Sequence, residues 1–260
     1  MFTPSHRGGS GPPLVCVHGF LDTWRSWELL FPMLERHHDV LAPTLPGHAG
    51  GPPLREPLDA EALVDGVETA MDEAGLEAAH VIGNSLGGRL AFELAVRGRA
   101  RSVVAFAPAG GWADPAFAAR LIDGQQALHD QLQELLPAMD EILASPDGRR
   151  LATELVVEHY EHIPSELIVH LIRGAAACKA GPLLDLARLV DWSVNGEAVT
   201  CPVRLVWGDG DRVLPGPEAA TRFREWLPQA DCVLLDGVGH CPQLDVPLEA
   251  AQLVLGVTQG

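Results

Sequence analysis

Lysine is almost absent from this chain. Lys179 is the single one in 260 residues, and tyrosine too occurs once. The other cations are arginines, and 35 acidic against 18 basic residues leave a net charge of −17. So acidic a surface repels phosphate, which argues against nucleic acid as a partner and against docking on an anionic membrane face. Cysteine is scarce and unpatterned: Cys16, Cys178, Cys201, Cys232 and Cys241 are odd in number, scattered, and form no CxxC pair. That spacing predicts reduced thiols rather than a disulfide framework or a zinc site. No apolar run is long enough to span a bilayer, and residues 1–13 lack the apolar stretch of a signal peptide. The expectation is a cytoplasmic protein that acts on a small molecule, with no metal, cofactor or membrane.

What is present is ample apolar material, 47% of residues, in an ordered alternation. Short apolar runs at Leu14–Gly19, Val40–Pro46, Ala79–Gly83 and Ser102–Ala107 read as buried strands of a parallel sheet. Between them, Asp59–Ala74 and Leu86–Val96 carry helical spacing. Alternation of this kind predicts an α/β fold, a mostly parallel sheet with helices on both faces. From Trp112 to Gly196 no strand pattern is found. Phe117, Leu121, Leu128, Leu132 and Leu135 recur at helical spacing, and Pro137, Pro146, Pro164 and Pro182 divide the stretch into short helices. Strands resume at Val203–Trp207 and Cys232–Leu235, with helices at Glu218–Trp226 and Leu248–Leu255. The division is therefore an α/β core of residues 1–111 and 197–260, interrupted by an all-helical insertion of residues 112–196.

Gly83-Asn84-Ser85-Leu86-Gly87-Gly88 lies where a strand pattern meets a helix pattern. A turn this sharp holds its serine in strained backbone geometry at a helix N-terminus, where free N–H groups favour developing negative charge. Without a following Gly-Lys-Ser/Thr it is not a phosphate loop. A serine nucleophile needs a base, and the base needs a carboxylate to orient it. Trp207-Gly208-Asp209-Gly210-Asp211-Arg212-Val213-Leu214-Pro215 follows one strand and offers Asp209 or Asp211. Gly237-Val238-Gly239-His240 follows the last strand. Of the eleven histidines, His240 alone combines a strand end, glycine neighbours and the right order. His159 and His162 flank Glu161 without an HExxH pattern, which reads as a mixed-charge helix face. The Leu86 N–H is one oxyanion donor by position, and the Phe20 N–H, in the loop after the first run, is the other. His18 is expected to be a structural hydrogen-bonding residue.

These segments together resemble the α/β-hydrolase superfamily over nearly the whole length. His18-Gly19-Phe20, Leu45-Pro46-Gly47-His48, Gly83 to Gly88, Gly208-x-x-Asp211 and Gly239-His240-x-Pro242 stand in that superfamily's order and spacing. The resemblance selects Asp211 as the acid and implies that the insertion is a helical cap roofing the substrate pocket. Trp112, Trp192 and Leu214 are candidate pocket walls, equally readable as packing. Members usually carry a β-hairpin before the first motif, so the front strands are expected to be missing or reduced to one here. The exposed sheet edge that results is expected to be masked by a second copy, as in a homodimer.

Ester hydrolysis is the broadest serine chemistry on this scaffold and the first expectation. Epoxide hydrolases and dehalogenases of the superfamily use an aspartate nucleophile, which Ser85 does not match. Asn84 resembles the residue before the nucleophile in meta-cleavage-product hydrolases, though Cys241 stands where those place tryptophan. Arg89 resembles the carboxylate-holding arginine of the menaquinone-pathway lyase, and is more simply an exposed or ion-paired residue in the first helical turns. A receptor that retains the triad but turns over slowly is the least favoured alternative.

Overall fold

The strands of the sheet are built from segments that alternate between two apolar faces. A computed structural model describes residues 1–112, 114–214 and 216–259. Pro215, at the end of the acidic strand-end loop, and residue 260 therefore lie outside the described residues. Seven strands, β1 Ser5–Gly9, β2 Pro13–Val17, β3 Asp39–Pro43, β4 Ala79–Asn84, β5 Ala100–Phe106, β6 Val203–Gly208 and β7 Asp231–Leu235, form one sheet in the order β1-β3-β2-β4-β5-β6-β7. All neighbours pair in parallel except β1, which runs antiparallel to β3 with Ser5 opposite Pro43 and Gly9 opposite Asp39. The helices are α1 Phe31–Leu34, α2 Ala62–Glu73, α3 Leu86–Val96, α4 Pro115–Leu135, α5 Met139–Ala144, α6 Pro146–Thr153, α7 Ser165–Ala177, α8 Ala180–Ala187, α9 Gly216–Trp226, α10 Pro242–Asp245 and α11 Pro247–Thr258.

Both faces of the five inner strands β2 to β6 are buried, which is why those strands read as continuous apolar runs. Val15, Val17, Val81, Val103 and Leu205 pack toward α2, α3 and α9. Their neighbours Leu14, Cys16, Ile82, Val104 and Val206 pack on the other face with Trp27, Leu34 and α11 residues Ala250, Ala251 and Val254. Period-two side-chain alternation in each strand thus feeds two separate cores. Helix α2 turns Leu63, Val64, Val67 and Met71 inward, as its apolar spacing requires.

One strand, β1, precedes β2 among the described residues and takes the edge beside β3. Residues 5–9 are polar and glycine-rich, and the sheet pattern gives them no apolar face of their own. They are held instead by the register with β3 and by His6, whose ring stacks on Phe31 at 4.2 Å between centroids.

Helices α4 to α8 all lie between β5 and β6 in the chain, with no strand among the described residues of that segment. Met139, Leu143, Val157, Leu167 and Ile168 form a small core there that continues onto Cys241 and Leu244. Among the described residues, no single helix is long and apolar enough to cross a membrane.

Candidate active site

Strand order reverses direction between β2 and β4, and the loops leaving these two strands part there. In open α/β sheets such a switch point is where ligands bind. Gly19 follows β2 and Ser85 follows β4; a Cβ on Gly19 would stand 3.4 Å from the Ser85 Cβ. The sheet topology therefore brings the His18-Gly19-Phe20 loop against the serine turn.

Ser85 has φ 53° and ψ −117°, a conformation that L residues adopt only when the surroundings enforce it. Main-chain bonds enforce it here. Ser85 N–H donates to the Phe106 carbonyl at 2.9 Å, and the Ser85 carbonyl accepts from Ala109 N–H at 2.9 Å and Arg89 N–H at 3.1 Å. Gly83 and Gly87 make the tight turn possible. A Cβ at Gly83 would lie 2.2 Å from the Gly87 oxygen, and one at Gly87 would lie 2.0 Å from the Val17 oxygen.

His240 Nδ1 and Asp211 Oδ2 are 2.8 Å apart, with the two side chains 5% and 0% exposed. Facing a carboxylate, Nδ1 carries the imidazole proton, which leaves Nε2 with a free lone pair. The second Asp211 oxygen accepts the N–H groups of Val213 and Leu214, each at 2.8 Å. Asp209 is exposed and engages a different partner. Its Oδ1 accepts the Gly237 N–H at 2.7 Å, tying the loop after β6 to the loop after β7. Geometry thus separates the two aspartates that order along the chain leaves open.

The segment around His240 is anchored on three sides. Asn84 Nδ2 donates to the His240 carbonyl at 2.9 Å and to the Phe106 carbonyl at 3.1 Å. The Gly239 N–H donates to Asp245 Oδ2 at 2.6 Å, and the Cys241 N–H to the Val156 carbonyl at 2.9 Å. Burial, reinforced by the negative charges of Asp22, Asp211 and Asp245, pushes the Cys241 thiol well above its usual range. It stays protonated and points its S–H at Asn84 Oδ1, 3.4 Å away. Asn84 and Cys241 border a cavity, but their polar atoms are engaged with the protein.

His18 is a structural residue. Leu45 N–H donates to its Nε2 at 2.9 Å, so Nδ1 carries the proton and donates to the Gly19 carbonyl at 2.7 Å. Burial, with His48 close by, holds its pKa well below the imidazole range. The N–H groups of Phe20 and Leu86 have no acceptor among the described residues and flank the serine turn. His162 Nε2 is bonded to the Leu244 carbonyl at 2.7 Å, which ties the helical segment to α10, just after His240.

Two cavities share Phe20, Ser85, Gln125 and Val213 as a common wall. One, of about 310 Å³, is bounded by Leu86, Arg89, Trp112, Trp192 and Leu214. Trp112 and Trp192 pack on each other there, 5.3 Å between ring centroids. The Arg89 guanidinium is paired with Glu93 at 2.5 Å and donates to the Ser193 carbonyl at 2.7 Å, the ion-paired arrangement that its simpler reading anticipates. The other cavity, of about 390 Å³, is bounded by Asn84, His240, Cys241 and residues of α4 to α7. Sequence reasoning misses Gln125, Asp22 and Asp245. Gln125 is visible as the polar residue inside the Leu121, Leu128, Leu132 stripe; Asp22 and Asp245 have no periodic signal.

The alpha/beta hydrolase family model matches residues 14–253. Epoxide hydrolase EphH of Mycobacterium tuberculosis is 36% identical over 214 residues, 74% of this chain and 91% of that protein. Pimeloyl-(acyl-carrier protein) methyl ester esterase of Aromatoleum aromaticum is 28% identical over 257 residues, 96% of this chain and 99% of that one. Among solved structures, a thermophilic esterase from Thermogutta terrifontis has a TM-score of 0.74 at 19% identity, covering 97% of this chain and 91% of its own. The enol-lactonase from Burkholderia xenovorans LB400 has a TM-score of 0.75 at 16% identity, covering 98% and 96%. At such identities these two structures speak for the fold alone. With the family model spanning nearly the whole chain and the fold in agreement, this protein belongs to the alpha/beta hydrolase family and is a hydrolase of that type.

Proposed function

We propose that the protein is a carboxylic ester hydrolase that works through an acyl-enzyme on Ser85, with His240 as base and Asp211 as its orienting acid. The observation that carries this reading is the 2.8 Å Asp211–His240 pair, whose histidine borders the same cavity as a serine held at positive φ. Ser85 Oγ attacks the ester carbonyl carbon and its proton passes to His240 Nε2. Asp211 holds the imidazolium that forms. The Phe20 and Leu86 N–H groups donate to the carbonyl oxygen as it becomes an oxyanion. The carbon–oxygen bond to the alcohol then breaks, and His240 gives its proton to the departing oxygen. Water repeats the sequence: it loses a proton to His240, attacks the acyl carbon and releases the acid, while Ser85 Oγ regains its proton. Residues 112–196 act as the cap over this site.

A second reading, epoxide opening, is favoured by the name of the 36% identical relative. The nucleophile speaks against it. Serine opening an epoxide leaves an alkyl ether on Oγ, with no carbonyl carbon for water to attack, so the enzyme would stall after one turnover. A carboxylate nucleophile would leave a hydrolysable ester instead.

Steady-state assays with p-nitrophenyl esters of graded acyl length, run beside phenyl glycidyl ether, test the choice. Ester turnover in the wild type that disappears in Ser85→Ala is expected. Epoxide turnover that survives Ser85→Ala would replace the ester reading.

A further inference from the structure

Ser85 stands at the junction of two cavities rather than at the end of one. The helix above it explains why. Along α4, Leu121, Gln125, Leu128, Leu132 and Leu135 recur at the three- and four-residue steps that place side chains on one face. Leu121 borders the first cavity alone; Leu128, Leu132 and Leu135 border the second alone; Gln125, between them, borders both. One helix face therefore runs along both arms, with Gln125 bordering each of them as Ser85 does.

The two arms are chemically distinct at their Ser85 end. His240 borders the second and not the first, whereas Leu86, the first residue of α3, borders the first and not the second. The group that leaves must take its proton from His240, so the part of the substrate attached to the leaving oxygen lies on the His240 side. The part that stays on Ser85 then points the other way. The second arm also has an outlet suited to apolar material. Leu135, Leu151 and Leu155 line it and are 36%, 65% and 40% exposed, a cluster of large apolar side chains facing water at its mouth.

We propose that the first arm takes the acyl group and the second takes the alcohol, and that the substrates are esters whose alcohol is long-chain or bulky and apolar, entering past Leu135, Leu151 and Leu155. This rests on the ester-hydrolase reading of Ser85. The alcohol arm empties into solvent after the first half-reaction, which gives the deacylating water its path to His240.

The test uses octyl acetate and ethyl octanoate, which are isomers with their chains on opposite sides of the ester, followed by acid release in a pH-stat. Leu132→Trp narrows the second arm and Leu121→Trp the first. Both positions are half-buried on α4. The kcat/KM ratio of octyl acetate to ethyl octanoate is expected to fall about tenfold in Leu132→Trp and to rise about tenfold in Leu121→Trp, the discrimination that a few excluded methylenes supply. Leu132→Phe and Leu121→Phe, smaller insertions, should move the ratio in the same senses if either tryptophan variant misfolds. Opposite shifts would reverse the arms and overturn the assignment, and a ratio unmoved in all four variants would overturn it too. A wild type that cleaves ethyl octanoate well but discriminates against octyl acetate more than about tenfold would overturn the substrate class. A wild type inert on every ester, equal to Ser85→Ala, would instead remove the ester reading beneath it.

Discussion

Asn84, one residue before the serine turn, donates its amide to the carbonyl of His240, 156 residues away, at 2.9 Å. The same Nδ2 reaches the Phe106 carbonyl at the end of β5, so one side chain ties the ends of β4 and β5 to the segment that carries His240. Asn84 is 1% exposed, and removing its amide leaves the buried His240 carbonyl without a donor, while the Phe106 carbonyl keeps the Ser85 N–H. Such a loss costs about 1–3 kcal/mol. Asn84→Ala should therefore unfold at lower urea, by about 2 kcal/mol, and lower kcat while KM changes little, because His240 is less firmly placed. Urea titration and steady-state kinetics check both. A variant with wild-type kcat would show that His240 needs no support from Asn84.

The aspartates flanking Gly210 should behave differently. Asp211→Asn presents an amide to His240 Nδ1 and disfavours the proton arrangement in which Nε2 is the base, so kcat should fall by about 10³–10⁴-fold. Asp209→Asn keeps an oxygen for the Gly237 N–H and should fall by less than about tenfold. Ser85→Ala and His240→Ala should fall at least as far as Asp211→Asn, with unchanged far-ultraviolet circular dichroism. Equal losses in Asp209→Asn and Asp211→Asn would undo the assignment of the acid.

Much of this site is legible in the sequence because chemistry on such a sheet collects at strand ends, and strands buried on both faces announce themselves as apolar runs. Ser85, Asp211 and His240 each follow one. Strand β1 is legible only as something reduced, since Ser5 to Gly9 has no apolar face and owes its conformation to β3. The anchors are not legible at all. Asp245 meets Glu158 and His159 across 87 and 86 residues, and no periodicity within either segment encodes that meeting. The two-armed cavity is hidden for a related reason. The α4 stripe is readable as helical, but a sequence cannot say that its Gln125 borders both cavities together with Ser85.

Asp245 should control how firmly the helical segment is docked. Its two oxygens accept the N–H groups of Glu158, His159 and Gly239 at 2.9, 2.8 and 2.6 Å, and it is 3% exposed. One carboxylate thus joins residues 158 and 159 to the residue before His240. Asp245→Ala leaves three N–H donors without their acceptor. A loss of about 3 kcal/mol or more is expected, with earlier proteolytic cleavage between residues 145 and 165 than in the wild type. Asp245→Asn, which keeps one acceptor oxygen, should fall between the two. Limited proteolysis followed by mass spectrometry reads the site of cutting. Cleavage elsewhere first, at an unchanged rate in 145–165, would separate Asp245 from the docking of this segment.

Stability should respond to pH through Asp22, three residues beyond Gly19 and on the wall of the alcohol arm. Burial pushes its carboxyl up from 3.8 to about 7, against the opposing pull of hydrogen bonds from the Thr23 N–H and the Ser26 side chain. With the folded pKa raised, the native state holds a proton that the unfolded chain has released between these two values. Stability from this group is therefore complete below about pH 4, declines as pH rises toward about 7, and is level above it. Asp22→Asn removes the titration and keeps an acceptor for Thr23. The variant should match the wild type in melting temperature near about pH 4.5 and exceed it by several degrees near about pH 8, a widening gap that differential scanning calorimetry at matched ionic strength would record. A gap that is constant across this range, or that narrows as pH rises, would mean that Asp22 is ionised in the native protein and that its contact with Thr23, rather than its burial, governs its proton.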